Sequence, residues 1–288
     1  MRVDELLSNK SRPLFSVELW PPRSAASETR LTEALERLSQ LKIDFASITY
    51  GAGGSTRENT HALVVRLMRD YGLPPVAHLV TGAHTRLELE AILARYRQSG
   101  VDNLLALHGD PPLEGNEALE IGELSHAIDL ARMAKFEYNF CVGVALHPNG
   151  HPSAITPALD AQFQAEKLAV ADYAITQFFY KTSDYIELVD QMNAHRVFKP
   201  ILPGIMAPTS FSTLNKMAEM SGTLVPSDTY ERLAKYRDDS VSFQKEGTLI
   251  AIELAAELLE YGAPGIHVFT MNQANTTVAI YESLNFGS

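Results

Sequence analysis

The chain has 288 residues, of which 45% are hydrophobic and 20% are charged, and its formal net charge is −11. This composition predicts a folded globular protein with a sizeable core, and the negative charge argues against broad attraction to nucleic acid or anionic membranes. The single cysteine, Cys141, excludes an intrachain disulfide and a site built from several cysteines. Because no apolar stretch reaches the roughly 18 residues of a membrane span and the N-terminus lacks a signal-peptide core, we expect a cytoplasmic protein.

Eight short apolar runs recur along the chain and predict strands. Each run is continuous rather than alternating, which is typical of strands buried on both faces of a parallel sheet. In chain order the runs are L-F-S-V-E-L, F-A-S-I-T-Y, V-A-H-L-V, N-L-L-A-L-H, C-V-G-V-A-L-H, Y-A-I-T-Q-F-F, I-L-P-G-I-M and G-I-H-V-F-T.

Segments with helical periodicity separate these runs, such as T-R-L-E-L-E-A-I-L-A-R-Y-R-Q-S-G, which ends on Gly100 as a C-cap. A polar helical stretch from about Pro226 to Lys245 indicates an extra helix inserted between the seventh and eighth strands. Eight strand–helix units without a linker favour a single-domain (β/α)8 TIM barrel over residues 1–288 rather than a doubly wound sheet. Neither Gly-x-Gly-x-x-Gly nor a P-loop follows any strand.

Polar side chains stand at or near the carboxyl ends of seven of the predicted strands, where a barrel gathers its loops and its chemistry. They are Glu18, Thr49, Tyr50, His78, His108, Asp110, His147, Gln177 and His267. We therefore expect a functional site at this end of the barrel.

Glu18 is the most informative of these residues, because a carboxylate in a buried strand is unfavourable without a partner. The period of a strand turns Phe15 and Val17 toward the helices and Glu18 toward the barrel axis, just before a Pro-Pro pair ends the strand. A structural carboxylate at the barrel mouth is the alternative, and a functional acid is favoured.

The other polar residues also have structural alternatives. For His78 and His267 the alternative is a hydrogen-bonded histidine of the core. Asp110, in H-G-D-P-P, is also suited to capping a turn, because Gly-Asp-Pro is favourable turn sequence. Gln177 lies among apolar residues in I-T-Q-F-F-Y, and a ligand is a better partner for its amide than any neighbour visible in the sequence.

Metal binding and nucleophilic catalysis have weaker support. No H-x-H or H-E-x-x-H pair occurs, and H-P-N-G-H at 147–151 places proline and glycine where a ligand pair needs a defined helix, so we expect no metal. Cys141 opens a strand away from the rim and is expected to be a small buried residue. The loop Y-G-A-G-G-S-T-R at 50–57 allows close backbone approach to a flat or anionic ligand, although the same composition makes a simple turn.

Six stretches together resemble the strand-end motifs of the methylenetetrahydrofolate reductases: V-E-L-W-P-P-R, S-I-T-Y-G-A-G-G-S-T-R, A-H-L, L-A-L-H-G-D-P-P, A-I-T-Q-F-F and I-L-P-G-I. The resemblance runs in order from about Phe15 to Asn272. It implies a (β/α)8 barrel that holds FAD and takes a hydride from NADH or NADPH. The implied reaction reduces 5,10-methylenetetrahydrofolate to 5-methyltetrahydrofolate, a step of one-carbon metabolism that supplies methionine synthesis.

The resemblance also implies roles for individual residues. Glu18 matches the general acid that protonates folate N10, for which apolar surroundings raise the pKa. Asp110 matches the acid that lies near both flavin and pterin, and Gln177 matches the amide that contacts folate or nicotinamide. At positions of FAD or nicotinamide contacts stand Thr49, Tyr50, Ala52, His78, His108, Gly109, Asp110, Ala127, His147, His151, Asp160 and Lys167. One helix face would present both Asp160 and Lys167.

The chain departs from the family pattern at several positions. His108 and His147 replace an Arg and a stacking Tyr of the FAD site. Phe163 and Glu166 stand where the family has polar and basic FAD contacts. In the substrate site Gln273 replaces an Arg that would meet the folate tail, which predicts altered recognition of that tail.

Three alternatives to a flavin-dependent reductase stay open. Glu18, Asp110 and Gln177 beside an altered FAD motif also fit a flavin-independent folate reductase or a folate-dependent one-carbon transferase on the same barrel. A non-catalytic partner or regulatory barrel is the third. The expected ligand is a small folate, with no nucleic acid and no membrane as partner, and homo-oligomerisation stays open.

Overall fold

The computed structural model describes residues 1–9, 11–51, 57–82, 84–109 and 123–287. The strands are β1 Leu14–Leu19, β2 Phe45–Ile48, β3 Pro75–Val80, β4 Asn103–Leu107, β5 Cys141–Leu146, β6 Tyr173–Phe178, β7 Ile201–Ile205 and β8 Gly265–Phe269. The helices are α1 Val3–Ser8, α2 Ala25–Leu38, α3 Arg57–Tyr71, α4 Arg86–Gln98, α5 Ala127–Arg132, α6 Pro157–Val170, α7 Thr182–Ala194, α8 Phe211–Ser221, α9 Ser227–Ala234, α10 Ser240–Tyr261 and α11 Ala274–Ser283. A π-helical turn, Met133–Glu137, continues α5.

The eight strands form one closed parallel barrel in chain order, with β8 paired to β1. At least one helix follows every strand. The observed strands coincide with the eight apolar runs. The runs are continuous because one face of each strand packs against the helices and the other face lines the lumen, so both faces are buried. The predicted (β/α)8 TIM barrel is therefore confirmed.

The main core lies between the barrel and the surrounding helices. Phe15 and Val17 are fully buried in it and belong to the same cluster as Leu31 of α2. Alternation along β1 turns Ser16 and Glu18 to the barrel interior. A one-residue slip of β1 would exchange the two faces, and burying each apolar side chain contributes about 1.5–3 kcal/mol. The packing of the core therefore sets the direction in which Glu18 points.

Helix α1 closes the N-terminal end of the barrel. Val3 and Leu7 are buried in a second apolar cluster together with lumen residues such as Tyr173. Asn103 of β4 holds this helix: the Val3 N–H donates to its Oδ1 at 2.8 Å, and its Nδ2 donates to the Met1 carbonyl at 3.1 Å. The end of the barrel that is left for a ligand is the one where the strands have their carboxyl ends.

Three helices, α8, α9 and α10, lie between β7 and β8, a stretch that the structure describes without gaps. Of these, α9 falls within the segment predicted as an inserted helix. Helix α4 has Ser99 as its C-cap, and Gly100 is the residue after it with φ +80, so the predicted cap lies one residue too far along the chain. Among the helices of the described ranges, none is long and apolar enough to cross a membrane.

Candidate active site

Glu18 lies near the carboxyl end of β1, and its side chain is only 13% exposed. Ser47 of β2 and Phe269 of β8 are its partners in register on the two neighbouring strands. Burial raises the pKa of the Glu18 carboxyl to about 7, because the charged form loses solvation, while a hydrogen bond from Trp20 lowers it. A carboxyl with this pKa carries a proton close to neutral pH and is suited to general acid catalysis.

Trp20 holds this carboxyl through a contact that is not evident from the sequence. Its indole Nε1 donates a hydrogen bond to Glu18 Oε1 at 3.1 Å. Asn272, in the loop after β8, accepts from the Trp20 backbone N–H and donates to the Trp20 carbonyl, both at 2.9 Å. The sequence feature that could have predicted this contact is the i, i+2 spacing, which puts Glu18 and Trp20 on one face of an extended chain.

His78 of β3, two strands from β1 in the barrel, lies beside the acid. Its Nε2 lies 3.9 Å from Glu18 Oε2 and, among the residues that the structure describes, has no hydrogen-bond partner. Burial lowers the pKa of His78 to about 3, so the ring is neutral. A buried nitrogen without a partner is unfavourable, and within the described ranges His78 differs in this from a core histidine whose ring nitrogens are both hydrogen-bonded.

His267 of β8, unlike His78, has hydrogen-bond partners for both ring nitrogens. Its Nδ1 lies 2.8 Å from Ser16 Oγ, and its Nε2 lies 3.1 Å from Ser47 Oγ. The ring stacks on Phe45 with a centroid separation of 6.0 Å. Both ring nitrogens have partners, so for this histidine the core alternative is the correct one.

Three histidines lie at the ends of β4 and β5. His108 Nδ1 is 3.0 Å from Thr81 Oγ1, and the rings of His147 and His151 meet edge to face at 4.8 Å. Burial lowers the pKa of His147 to about 3. Burial also lowers the pKa of His108, with smaller contributions from His126 and His151. The buried Nδ1 of His147 has no partner within the described part of the chain.

Helix α6 presents three polar side chains to these histidines. Asp160 Oδ2 accepts from the His151 backbone N–H at 3.2 Å and from Gln164 Nε2 at 2.8 Å. Gln164 Oε1 in turn accepts from the His147 backbone N–H at 2.6 Å. Burial lowers the pKa of Lys167 to about 8, although nearby Asp160 opposes this. With respect to the described residues, the Lys167 ammonium makes no hydrogen bond and no ion pair.

Gln177 lies near the end of β6, and Gln273 follows β8, two strands further round the barrel. The side-chain oxygen of Gln177 accepts from the Phe178 backbone N–H at 3.0 Å, beside a register irregularity between β6 and β7. Gln273 is exposed and is the N-cap residue of α11. Both amides therefore lie at the carboxyl-terminal end of the barrel, one near the end of a strand and the other at the start of the following helix.

The remaining predicted contacts are spread over three loops. Thr49 and Tyr50 follow β2, and the buried Tyr50 hydroxyl lies 3.0 Å from His84 Nε2. Gly109 has φ +93, and a Cβ there would lie 3.0 Å from Val80 Cβ, so a larger residue would be strained at this position. Ala127 begins α5. Ala52 and Asp110 lie outside the described residues.

One group of three potential metal ligands occurs in the described ranges, and it lies at the other end of the barrel. Asp4, Cys141 and Asp172 have ligand atoms within 4.8 Å of one another. Arg2 binds Asp4 at 3.1 Å and Lys135 binds Asp172 at 2.7 Å, and burial holds the Cys141 thiol protonated by raising its pKa. These two cations already neutralise the carboxylates, so the group is explained as paired charges around α1.

The barrel and its polar mouth have counterparts in known proteins. The sequence model for methylenetetrahydrofolate reductase matches residues 2–285. The 5,10-methylenetetrahydrofolate reductase of Pectobacterium carotovorum is 32% identical over 270 residues, which cover 93% of this chain and 89% of that protein. The enzyme of the same name from Escherichia coli K12 is 31% identical over 271 residues, with 93% and 90% coverage.

A solved structure shows the same fold at lower sequence identity. It is a protein from Clostridium thermocellum that binds two copies of 5-methyl-5,6,7,8-tetrahydrofolic acid. The TM-score is 0.68 at 19% identity, over 99% of this chain and 96% of that chain. At this identity the likeness supports the barrel fold alone.

Proposed function

Because the chain belongs to the methylenetetrahydrofolate reductase family, we propose that it reduces 5,10-methylenetetrahydrofolate to 5-methyltetrahydrofolate with a hydride from NADH or NADPH, through bound FAD. In this proposal residues 1–288 form one catalytic domain that works in the cytoplasm and supplies methionine synthesis. The folate is the small-molecule partner.

The observation that carries the proposal is the buried carboxyl of Glu18 at the barrel mouth. Opening the five-membered ring of the substrate requires a proton on folate N10, and an acid near neutral pH must still hold its proton to supply one. Burial gives Glu18 this property by raising its pKa to about 7. An exposed glutamate would be ionised almost completely at this pH.

Several groups at the mouth fit a flavin dinucleotide. The buried nitrogens His78 Nε2 and His147 Nδ1 have no partner among the described residues, and Lys167 is a partly buried cation without an ion pair there. An anionic pyrophosphate would supply the missing charge for Lys167. Held by these residues, FAD would supply the redox chemistry that links the nicotinamide to the folate. We assign the remaining contacts to Thr49, Tyr50, Ala52, His108, Gly109, Asp110, Ala127, His151 and Asp160.

We further propose that Asp110 and Gln177 orient the pterin and that Gln273 meets the folate tail. The position of Gln177 beside the irregular end of β6 supports this, since its Nε2 can turn toward a ligand while its oxygen stays bound to the backbone. Gln273 offers the tail a neutral amide, which binds an anion less strongly than an arginine would.

The deciding measurement is the visible absorbance spectrum of protein purified without added cofactor. We expect a yellow protein whose flavin absorbance is bleached by NADH or NADPH and is restored by 5,10-methylenetetrahydrofolate. A colourless protein that reacts with neither compound would contradict the proposal.

Glu18→Gln separates the two half-reactions. The amide cannot donate an acidic proton, so the rate of folate reduction should fall by roughly 100-fold or more. The rate at which the nicotinamide bleaches the flavin should be unchanged. Stopped-flow absorbance measures each half-reaction by itself. If both fell equally, Glu18 would have a role in holding the cofactor rather than in protonating the folate.

A flavin-independent folate reductase is the second candidate, and α6 supplies the observation that favours it. Phe163 is 56% exposed, and Glu166 places a carboxylate one residue before Lys167. Neither side chain helps to bind an anionic dinucleotide. Folate reduction that persists after flavin removal would identify this case. Folate binding with no response to nicotinamide would indicate a one-carbon transferase, and no response to either would indicate a non-catalytic barrel.

A further inference from the structure

The carboxyl of Glu18 has two oxygens in different surroundings. Oε1 accepts the indole N–H of Trp20 at 3.1 Å. Oε2 accepts no hydrogen bond from any described residue and faces His78 Nε2 at 3.9 Å, which is beyond hydrogen-bond distance. The two oxygens are therefore not equivalent when the carboxyl carries a proton.

The indole is held in place from the far end of the chain. Asn272 binds both backbone polar groups of Trp20, and Thr270 Oγ1 donates to the Glu18 carbonyl at 2.6 Å. Met271 and Asn272 have φ +50 and +56, a left-handed backbone that non-glycine residues rarely adopt. Trp20 is 37% exposed, so its position is set by these backbone contacts more than by burial.

We propose that Trp20 is a positioning residue for the general acid: its indole N–H occupies Glu18 Oε1, so that the acidic proton is carried by Oε2. This inference rests on the proposed function for the destination of the proton. In the step the Oε2–H bond breaks and an N–H bond forms at folate N10. The carboxylate that remains keeps its hydrogen bond from the indole, and the solvent supplies a new proton to Glu18 after the product leaves.

The hydrogen bond from the Trp20 indole lowers the pKa of Glu18. A donor to the carboxylate favours the ionised form, so loss of the indole N–H raises the pKa of Glu18 above its value of about 7. On the described strands around Glu18 the other titratable side chains are His78 of β3 and His267 of β8. Burial lowers the pKa of each to about 3, so neither changes charge in the range in which Glu18 titrates.

The contact has a direct spectroscopic test, because Trp20 is the only tryptophan of the chain. Selective excitation of tryptophan should give an emission that changes with pH around a midpoint of about 7 in the purified protein. This transition should disappear in Glu18→Gln. A transition that survives this substitution, or its absence from the unsubstituted protein, would overturn the proposal. The measurement needs neither folate nor turnover, so its outcome does not depend on the proposed function.

The functional consequence is tested with Trp20→Phe, which keeps an aromatic ring and removes the N–H. The alkaline limb of the pH profile of kcat/KM for folate reduction should move to higher pH by roughly 0.5–1 unit. A profile that superimposes on that of the unsubstituted enzyme would overturn the positioning role while leaving the reductase assignment intact.

A second altered protein distinguishes loss of the indole N–H from a change in the shape of the ring. Because there is one tryptophan, biosynthetic replacement by β-(3-benzothienyl)alanine substitutes sulfur for the indole N–H at position 20 alone. The same displacement of the pH profile as in Trp20→Phe is expected. A profile displaced only in Trp20→Phe would assign the effect to packing and would contradict the proposal.

Discussion

Lys167 is, after Glu18, the side chain whose surroundings point most directly to a ligand. It is a partly buried cation, and its pKa is lowered to about 8 because burial disfavours the charged form. Its partial partner, Asp160, already accepts hydrogen bonds from His151 and Gln164. Binding an anion beside this ammonium would recover part of the lost solvation, which is why we assign Lys167 to the cofactor.

Replacing Lys167 by Gln should weaken binding of FAD, because a hydrogen bond to a charged group contributes about 1.5–3 kcal/mol, or roughly 10- to 150-fold in affinity. Titration of flavin-depleted protein with FAD, followed by flavin fluorescence, measures this. The matched control is Lys42→Gln, which removes the same charge at the opposite end of the barrel, ahead of β2. Equal affinities for both variants would place the cofactor elsewhere.

Among the elements, α1 shows how the barrel keeps one end closed and the other open. The helix has six residues, too few to be stable alone, and it is held by burial of Val3 and Leu7 and by Asn103. Asn103 is 1% exposed, and its Nδ2 also donates to the Pro75 carbonyl at 3.2 Å. One side chain thus joins the N-terminal helix to β3 and β4.

The change Asn103→Ala should lower the free energy of unfolding by about 1–3 kcal/mol, because the buried Val3 N–H loses its acceptor. Amide exchange of Val3 to Leu7 should also become faster. Chemical denaturation and hydrogen exchange measure the two effects, with the exposed Asn193→Ala as control. Folate reduction should be preserved, since the site lies at the other end. Unchanged exchange in α1 would contradict the assigned role of Asn103.

At the scale of the whole molecule, the buried titratable groups make stability depend on pH in two directions. The pKa values of His78, His147 and His267 are each lowered to about 3 by burial. The unfolded chain therefore binds more protons than the folded protein below pH about 6.5, and stability is lost as pH falls from there toward 3. Glu18 acts oppositely: its raised pKa removes stability as pH rises from about 4.5 to about 7.

Two substitutions test these contributions separately. Between pH 4 and pH 8, Glu18→Gln should raise the free energy of unfolding by up to about 3 kcal/mol relative to the unsubstituted protein. The reason is that it removes a carboxyl group that must ionise in a buried place. His267→Gln should reduce the loss of stability below pH 6.5, and the exposed His195→Gln serves as its control. Denaturation across the pH series gives these values. Parallel curves for all four proteins would contradict the assigned pKa changes.

The sequence by itself determined the barrel, the family and the direction of Glu18. Continuous apolar runs are what strands covered on both faces require, so eight such runs separated by helices leave few other folds. The two-residue period of a strand turned Glu18 inward once Phe15 and Val17 faced the helices. These features depend on neighbours in the chain, and they can be read from local pattern.

Only the tertiary structure decided which polar groups have partners. His78 and His267 looked alike in the sequence, but Ser16 and Ser47, 251 and 220 residues from His267, bond both ring nitrogens of His267. The buried Nε2 of His78 has no partner among the described residues. Likewise Asn272 meets Trp20 across 252 residues. The physical reason is barrel closure: pairing β8 with β1 brings the two ends of the chain together, and hydrogen bonding then depends on register across the barrel rather than on spacing along it.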